Sequence, residues 1–313
     1  MSKLAIVALG GNALLRGDQK GTIDEQEKNV YDSCKSLINI IKSGINLIIA
    51  HGNGPQVGNV LLQHEAGNKT FGIPKMPMDV CVAETQGSIG YMIEQQMHNV
   101  LKENGLKRNI ITIITQVVVD KNDEAFLKPT KPVGPYYSEK EAYNMEHERG
   151  WKFKKDAAGR GWRRVVASPK PIEINNRNIV EKLAREGNIV ITVGGGGIPV
   201  YYLENGNLMG IDAVIDKDLA SATLATAINA DEFYILTDVA NVYINFNSPS
   251  QQKLEEITVE QAETYLAEGQ FAEGSMAPKI RAGIMFAKNG NGKTIITETT
   301  LLGTNHIGTI IHK

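Results

Sequence analysis

The sequence predicts an α/β fold in which helices cover both faces of a mainly parallel central sheet. Apolar runs of strand length, beginning with Leu4–Leu9 and Ile45–Ala50, alternate with segments of helical periodicity. These runs carry almost no polar residues, as strands buried on both faces of a parallel sheet do. The chain has 313 residues, 42% of them hydrophobic, which is enough for a substantial core. We therefore expect a three-layer αβα sandwich that spans residues 1–313 as one domain.

The alternation of strands and helices can be followed along the chain. Thr22-Ile-Asp-Glu25 has the form of a capping box, which marks the start of a helix, and Gly44 marks its end. The other predicted helices run from Pro55 to about Ala66, Ser88–Asn104, Asn178–Arg185, Leu219–Asn229, Val259–Glu268 and Met276–Lys288. The other predicted strands are Ile110–Val119, Asn188–Val193, Phe233–Thr237, Thr294–Thr297 and Ile307–His312.

The alternation of strands and helices is interrupted over about residues 120–171. This segment contains five prolines, both tryptophans and a basic cluster around Arg163. A structureless loop of about fifty residues is improbable inside a compact domain. The segment therefore predicts a small inserted lid subdomain, and an ordinary surface excursion is the alternative.

Composition excludes several classes of function. The net charge is −2 with both signs intermixed, so the chain shows neither a basic footprint for nucleic acid nor a polybasic membrane anchor. Cys34 and Cys81 lack CxxC spacing, which argues against a disulfide framework or a zinc site. No stretch approaches the roughly 20 apolar residues that span a bilayer, and the short apolar run at the N-terminus does not fit a signal peptide. We expect a cytoplasmic protein without nucleic-acid or membrane partners.

Two predicted strands end in glycine and asparagine. Gly10-Gly11-Asn12 follows the first strand, and Gly52-Asn53-Gly54 follows the second, with Pro55 at the first position of the next helix. Glycine lets a backbone approach an oxyanion, and a helix N-terminus presents free N–H groups. Each segment alone is also compatible with an ordinary turn. Together they predict one site for a phosphate or carboxylate, because ligands of open α/β sheets gather at such strand ends.

Charged residues at the starts of later helices add to this site. Asp216-Lys217-Asp218 precedes a helix, and the role of N-cap explains one of its two carboxylates. The remaining carboxylate and the lysine are of the types that bind Mg²⁺ and phosphate. Lys279 lies in the first turn of a helix, where it opposes the helix dipole unless an anion is bound. Lys131 is flanked by prolines on a stiffened loop, although a solvated surface lysine is the usual case there.

Other motifs are weaker. Thr237 and Asp238 end a strand, where they would contact a nucleotide or cap a turn. Gly52 to Gly58 nearly matches the dinucleotide fingerprint G-x-G-x-x-G, but its last glycine is one position late; a nicotinamide-dependent oxidoreductase is therefore the alternative from another class. The segment 287–294 resembles a P-loop but follows a helix and opens a strand, which is the wrong context.

Taken together, a set of segments in order along the chain resembles the carbamate kinases of the amino acid kinase superfamily. The segments are Ala8-Leu-Gly-Gly-Asn-Ala13, His51-Gly-Asn-Gly-Pro-Gln-Val-Gly58, Thr85-Gln-Gly-Ser-Ile-Gly-Tyr91, Pro129-Thr-Lys-Pro-Val-Gly134, Asp156-Ala-Ala-Gly-Arg-Gly-Trp162, Ser168-Pro-Lys-Pro171, Gly194-Gly-Gly-Gly-Ile-Pro199, Val214-Ile-Asp-Lys-Asp218 and Gly274-Ser-Met-Ala-Pro-Lys279. The two segments around Lys131 and Arg160 are the most specific. The chain departs from the family in the extra alanine of Ala157-Ala158 and in Ala167, where a proline is common.

The resemblance implies reversible, Mg²⁺-dependent phosphoryl transfer between ATP and carbamate, with carbamoyl phosphate and ADP as the other pair. It places around the small substrate Gly10, Gly11, Asn12, Gly52 and Asn53. It assigns the catalytic charges to Lys131, Lys217, Lys279, Asp216 and Asp218, and the nucleotide side to Thr237, Asp238, Met276 and Lys279. Mg²⁺ would be held mainly through the ATP phosphates, its protein ligands being unknown. The family also implies a homodimer and ATP formation in arginine or ureide catabolism.

Two alternatives within the same fold stay open. One is a kinase for another small acid such as acetylglutamate, and the other is a non-catalytic small-molecule-binding member. The insertion favours carbamate because it supplies bulk over a small site, and the presence of Lys131, Lys217 and Lys279 argues against a non-catalytic role.

Overall fold

The computed structural model describes residues 2–17, 19–156, 159–302 and 308–313. The side chain of Asn12 lies outside the described set. So do Ala157-Ala158, where the sequence departs from the family pattern, and Ile307, the first residue of the last predicted strand.

The described residues form nine α-helices and seventeen strands. The helices are α1 (Ile23–Ser36), α2 (Ile38–Lys42), α3 (Gly54–Phe71), α4 (Met78–Glu103), α5 (Glu139–Arg149), α6 (Arg177–Arg185), α7 (Lys217–Ala227), α8 (Val259–Ala267) and α9 (Met276–Asn289). The strands are β1 (Leu4–Leu9), β2 (Asn46–His51), β3 (Ile110–Thr112), β4 (Gln116–Val118), β5 (Lys131–Tyr137), β6 (Lys152–Lys155), β7 (Trp162–Val166), β8 (Glu173–Ile174), β9 (Ile189–Ile191), β10 (Ile198–Tyr202), β11 (Leu208–Gly210), β12 (Glu232–Thr237), β13 (Val242–Ile244), β14 (Gln252–Leu254), β15 (Glu256–Thr258), β16 (Lys293–Glu298) and β17 (Thr309–His312). Among the described residues, no helix combines the length and hydrophobicity that crossing a bilayer requires.

The central sheet has eight strands in the order β15-β17-β16-β12-β1-β2-β9-β3. Every neighbouring pair is parallel except β16 and β17, which are antiparallel. The prediction of a mainly parallel central sheet is confirmed.

Helices cover both faces of this sheet. Successive side chains of a strand point to opposite faces, and in β1 Leu4, Ile6 and Ala8 pack into one core while Val7 and Leu9 pack into the other. The first core includes buried residues of α6, α7, α8 and α9, and the second includes those of α1, α2 and α4. The predicted three-layer αβα arrangement is therefore confirmed.

The single predicted strand over residues 110–119 is wrong. It is divided into β3, which belongs to the central sheet, and β4, which belongs to a separate sheet of order β11-β10-β4-β8. The break lies at Thr115, whose backbone N–H donates to Oε1 of the buried Gln86 over 2.7 Å. Its carbonyl accepts from the Gln86 amide. A side chain on α4 thus takes the N–H of Thr115, while the carbonyl of Thr115 also accepts from the N–H of Ile198, the first residue of β10, over 2.8 Å.

Residues 120–171 contain secondary structure of their own. Strands β5, β7 and β6 form a three-stranded antiparallel sheet, which we call the small sheet. Helix α5 lies beside it and begins with a capping box between Ser138 and Glu141. The expectation that this segment acts as a lid subdomain stays a prediction.

Candidate active site

The carboxyl ends of four neighbouring parallel strands lie at one edge of the central sheet. These strands are β12, β1, β2 and β9. The residues at or just after these ends include Thr237-Asp238, Gly10-Gly11, Gly52-Asn53 and Gly194–Gly196. The two predicted glycine–asparagine strand ends are therefore adjacent, as expected for a shared site in an open α/β sheet.

Gly10 and Gly11 differ in what surrounds them. A Cβ at Gly10 would lie 2.8 Å from the backbone oxygen of Leu236, so the close packing of β1 against β12 requires glycine there. A Cβ at Gly11 would meet no atom of the described residues within 4 Å, its chain neighbours apart. Gly11 therefore borders open space at the sheet edge, where a ligand has room to approach the backbone.

Asn53 occupies the N-cap position of α3 but does not cap it with its side chain. It is buried, and its Nδ2 donates instead to Oγ1 of Thr85 on α4 over 2.9 Å. Free N–H groups at a helix start favour a bound anion. The first turn of α3 is thus not closed off by its own N-cap side chain.

A glycine turn after β9 presses against these residues. Val193 and Gly195 adopt left-handed conformations, with φ of 54° and 64°. A Cβ at Gly195 would lie 2.2 Å from Nδ2 of Asn53, and one at Gly194 would lie 2.4 Å from Nε2 of His51. Gly194 and Gly195 were not among the predicted site residues. The run of four glycines at a strand end could have indicated them. The sequence alone, however, does not predict that β9 lies next to β2.

Buried polar side chains hold the glycine turn in place. Nε2 of Gln86 donates to the backbone oxygen of Gly194 over 3.0 Å. The hydroxyl of Thr115 accepts from the N–H of Val193 over 3.1 Å and lies 2.6 Å from the hydroxyl of Thr192. Satisfied buried networks of this kind specify one conformation, which a non-glycine residue at positive φ requires.

Asp216 joins the central fold to the small sheet. It is the N-cap of α7, and its Oδ1 accepts from the N–H groups of Asp218 and Leu219 over 2.9 and 3.2 Å. Its other oxygen lies 2.6 Å from Nζ of Lys131, the first residue of β5. One carboxylate therefore caps a helix and holds a lysine from another sheet.

Asp218 binds the two other predicted lysines. Lys217 pairs with its Oδ1, and Nζ of Lys279 lies 3.0 Å from its Oδ2. The two lysines come from α7 and α9, which pack against each other. The stem of Lys217 also passes the second strand end, because a Cβ at Gly52 would lie 3.5 Å from its Cδ.

We call Lys131, Asp216, Lys217, Asp218 and Lys279 the charged cluster. Burial by itself raises the pKa of Asp216, but Lys131 and Lys217 outweigh it and hold that pKa well below its ordinary value. Burial lowers the pKa of Lys217 despite its pairing with Asp218. Burial also opposes the charge of Lys279, yet Asp218 raises the pKa of this lysine.

The charged cluster carries three basic and two acidic side chains. With all five ionised it has one net positive charge, at a sheet edge where glycine backbone is close. Such a site favours an anion over a neutral ligand.

The candidates for the nucleotide side lie next to the charged cluster. Thr237 ends β12, and Met276 begins α9, whose first turn contains Lys279. The charge of Asp238 contributes to the raised pKa of Lys279, which indicates that the two are close. The contacts that Thr237 and Met276 would make with a nucleotide stay predictions.

The described residues do not assemble a metal site by themselves. They contain no group of three His, Cys, Asp or Glu side chains that could hold a metal ion. Asp216 and Asp218 already pair with lysines. The attachment of Mg²⁺ mainly through ATP phosphates stays a prediction.

The sequence pattern of the amino acid kinase family matches residues 3–298. The chain belongs to the amino acid kinase family. The match covers every residue of the charged cluster and all four strand ends. The family membership predicted from the sequence segments is thereby confirmed.

Relatives within the amino acid kinase family are named carbamate kinase. One from Pyrococcus horikoshii is 49% identical over 296 residues, which cover 95% of this chain and 94% of that protein. The structure of carbamate kinase from Giardia lamblia bound to citric acid superposes with a TM-score of 0.93 at 43% identity, covering 100% of this chain and 99% of that one. The same enzyme bound to AMP-PNP gives 0.90 at 44% identity, with the same coverage.

Proposed function

We propose that this protein is a carbamate kinase, which transfers a phosphoryl group reversibly between ATP and carbamate. The observation that carries the proposal is the charged cluster, in which three lysines from three different elements converge beside glycine-rich strand ends. The carbamate kinases to which the chain is similar align with it over nearly its whole length, which supports the same substrate.

The acceptor explains why the site needs no general base. Carbamate is already an anion, so its oxygen attacks without losing a proton. The imidazole of His51 lies against the glycine turn, but burial lowers its pKa to about 4. Its Nδ1 lies 2.9 Å from the backbone oxygen of Gly52, so this nitrogen carries the proton and donates it. His51 therefore stays neutral and binds the backbone at the end of β2, and its lowered pKa makes it a weak base.

The chemical task that remains is to bring two anions together in line and to offset the charge on the transferred group. Lys131 would meet the transferring phosphoryl group from the small sheet, with its amine positioned by Asp216. Lys217 and Lys279 would meet the phosphates of the nucleotide, with Asp218 fixing the distance between them. A bound Mg²⁺ supplies further positive charge on the ATP phosphates.

The small sheet would act as the lid of this site. It contributes Lys131 and lies over the start of α3, since a Cβ at Gly54 would come within 4.0 Å of the backbone oxygen of Pro132. A closed lid excludes water, which otherwise competes with carbamate for the phosphoryl group.

We infer the cellular setting from the same similarity. The protein would be a cytoplasmic homodimer that forms ATP from carbamoyl phosphate at the end of arginine or ureide catabolism. The carbamate that is formed decomposes to ammonia and CO₂, which draws the reaction toward ATP.

The proposal is tested by incubating the purified protein with ADP, carbamoyl phosphate and Mg²⁺ and measuring ATP. We expect ATP formation that depends on all three. Well-folded protein that forms no ATP above background would refute the proposal. A parallel assay in the reverse direction, with acetylglutamate in place of carbamate, separates the two kinase readings, and a flat fluorescence titration with NADH dismisses the oxidoreductase reading.

A further inference from the structure

Helix α3 and strand β5 touch through two glycines. Gly58, in the second turn of α3, and Gly134, in β5, are both buried. A Cβ built on Gly58 would lie 1.9 Å from Cα and 2.2 Å from N of Gly134. Beside this contact the helix and the small sheet separate into a narrow cleft lined by Leu61, Leu62, Tyr137 and Trp151. The glycine pair is therefore a point of direct backbone contact, which any side chain on Gly58 would disrupt.

The backbone of β5 is shaped for this contact. Gly134 has φ of 73°, a conformation that side chains disfavour, and the pairing of β5 with β7 shifts register between Val133 and Tyr137. A bulge at this position brings the strand backbone toward a neighbour. Nη2 of Arg163, on β7, donates to the backbone oxygen of Gly134 over 2.8 Å. The position of Gly134 is thus set from both sides.

The contact joins two parts of the proposed active site. Gly58 is on the helix that begins directly after Asn53, and Gly134 is on the strand that begins with Lys131. The neighbouring residues Val57 and Val133 are almost fully buried in one small apolar core. Helix α3 and strand β5 are therefore packed as one unit. The distance between β5 and the strand ends of the site depends on how closely the two elements approach at the glycine pair.

We propose that Gly58 is a positioning residue for catalysis, because its lack of a side chain lets β5 approach closely enough to place Lys131 over the reacting phosphoryl group. This inference rests on the proposed function. Gly58 acts only through Lys131 and touches no substrate itself.

The expected displacement is large enough to measure. Carbon atoms in contact are about 3.5–4.0 Å apart, so a methyl group 1.9 Å from Gly134 Cα would push strand and helix apart by roughly 1.5–2 Å. Backbone on both sides leaves no flexible side chain to yield. A misplacement of about 1 Å in an active site lowers the rate by about 100-fold.

The test compares Gly58→Ala with Gly67→Ala on the same helix. A Cβ at Gly67 would meet only the side chain of Ile73, at an ordinary 3.8 Å. Both substitutions replace a helical glycine by alanine and raise the helix propensity equally, so the control isolates the contact with β5. We expect Gly58→Ala to lower kcat for ATP formation about 10- to 100-fold with KM for ADP within twofold, because Lys217 and Lys279 are not on β5. Gly67→Ala should match the wild type, and wild-type kcat in Gly58→Ala would overturn the proposal.

A double-mutant cycle tests whether Gly58 acts through Lys131. If it does, Gly58→Ala should lower kcat by less than threefold in a Lys131→Ala background, since the amine that it displaces is already absent. Multiplicative losses would mean that the glycine contact matters for another reason, and they would overturn the assignment.

Two further measurements keep the proposal testable. If Gly58→Ala does not fold, Val133→Ala takes its place, because it loosens the same contact by removing buried methyl groups. Val133→Ala should lower kcat when Lys131 is present and leave it unchanged in the Lys131→Ala background. Wild-type kcat in Val133→Ala would then overturn the proposal. If neither the wild type nor Gly67→Ala forms ATP, the proposed function has failed. Amide hydrogen exchange over residues 131–137 then tests the contact alone, with faster exchange expected in Gly58→Ala and unchanged exchange counting against the contact.

Discussion

Asp218 is the residue on which the charged cluster depends most directly. Its side chain is 6% exposed and pairs with lysines from two helices. A buried carboxylate with one partner removed is left with uncompensated charge, which is more damaging than loss of a surface pair. The residues of the charged cluster therefore act as a unit. A single substitution removes one side chain and also changes the charge balance of the side chains that remain.

Lys279→Ala should lower kcat for ATP formation by roughly 100-fold or more, the usual effect of removing one donor that stabilises transition-state charge. Lys288→Ala, on the same helix, is the matched control, because Lys288 is an exposed lysine that pairs with Glu263 on the surface. Steady-state kinetics of both variants check this prediction. Equal rates in the two variants would contradict the role given to Lys279.

His51 should make stability depend on pH in a window set by its own titration. In the folded state burial lowers its pKa to about 4, from an ordinary 6.5. The contribution of neutral, buried His51 to the free energy of unfolding is fully present above pH 6.5. It is lost as the pH falls toward 4, since only the unfolded chain takes up the proton in this range. We expect the free energy of unfolding to fall by about 3 kcal/mol across this window.

Urea denaturation at several pH values measures this dependence. His51→Gln should remove most of it, whereas His98→Gln, at an exposed position of α4, should keep it. The same slope in His51→Gln and in the wild type would show that other groups titrate.

At the scale of elements, the site is built from strand ends and from the turns that follow them. The turn after β9 is the most constrained, because it combines positive φ at Val193 and Gly195 with backbone pressed against His51 and Asn53. Such turns combine close approach with strain that the surrounding network must hold. They are therefore sensitive to a single added methyl group.

Gly195→Ala should destabilise the protein and lower its activity through a clash in addition to backbone strain. Gly206→Ala separates the two effects, because Gly206 has φ of 82° and a Cβ there would meet no atom within 4 Å. Strain alone costs about 1–2 kcal/mol, which we expect for Gly206→Ala with unchanged kcat. Gly195→Ala should cost a further 1–3 kcal/mol, as overpacking does.

Urea unfolding and the ATP-formation assay distinguish these outcomes. Equal stability losses in the two variants would show that the approach to Asn53 can relax without cost.

At the scale of the whole molecule, large apolar side chains remain exposed on α4 and on the strand pair β10 and β11, and α4 contacts β10. They include Val80 and Tyr91 on α4 and Tyr202, Leu208 and Met209 on β10 and β11. A contiguous group of exposed apolar side chains marks an interaction surface. We propose that these side chains contribute to the interface of the proposed homodimer.

Light scattering during size-exclusion chromatography should give a mass of twice the 34.2 kDa of one chain. Tyr91→Arg should shift the protein toward the single-chain mass, because it places a charge in the contact. Tyr143→Arg is the control, since Tyr143 on α5 is equally exposed at 61%. A dimer that persists in Tyr91→Arg would place the interface elsewhere.

Much of the fold could be predicted from local patterns. The apolar runs of β1 and β2 and the periodicity of α7 and α9 gave the layers, because a strand buried on both faces and an amphipathic helix each have their own period. The short strands of the small sheet and the division at Thr115 could not be predicted in this way. The division at Thr115 depends on the side chain of Gln86, which is distant in sequence from the backbone groups that it binds.

The sequence by itself determined the chemistry of this protein: which glycines, lysines and aspartates it carries, and which family they resemble. The tertiary structure alone decided that Asp216 holds Lys131, that Asp218 holds both Lys217 and Lys279, and that Gly58 meets Gly134. The physical reason is that residue type and local spacing set propensity and charge, whereas a contact depends on the order of strands in the sheet and on the crossing of elements far apart in the chain.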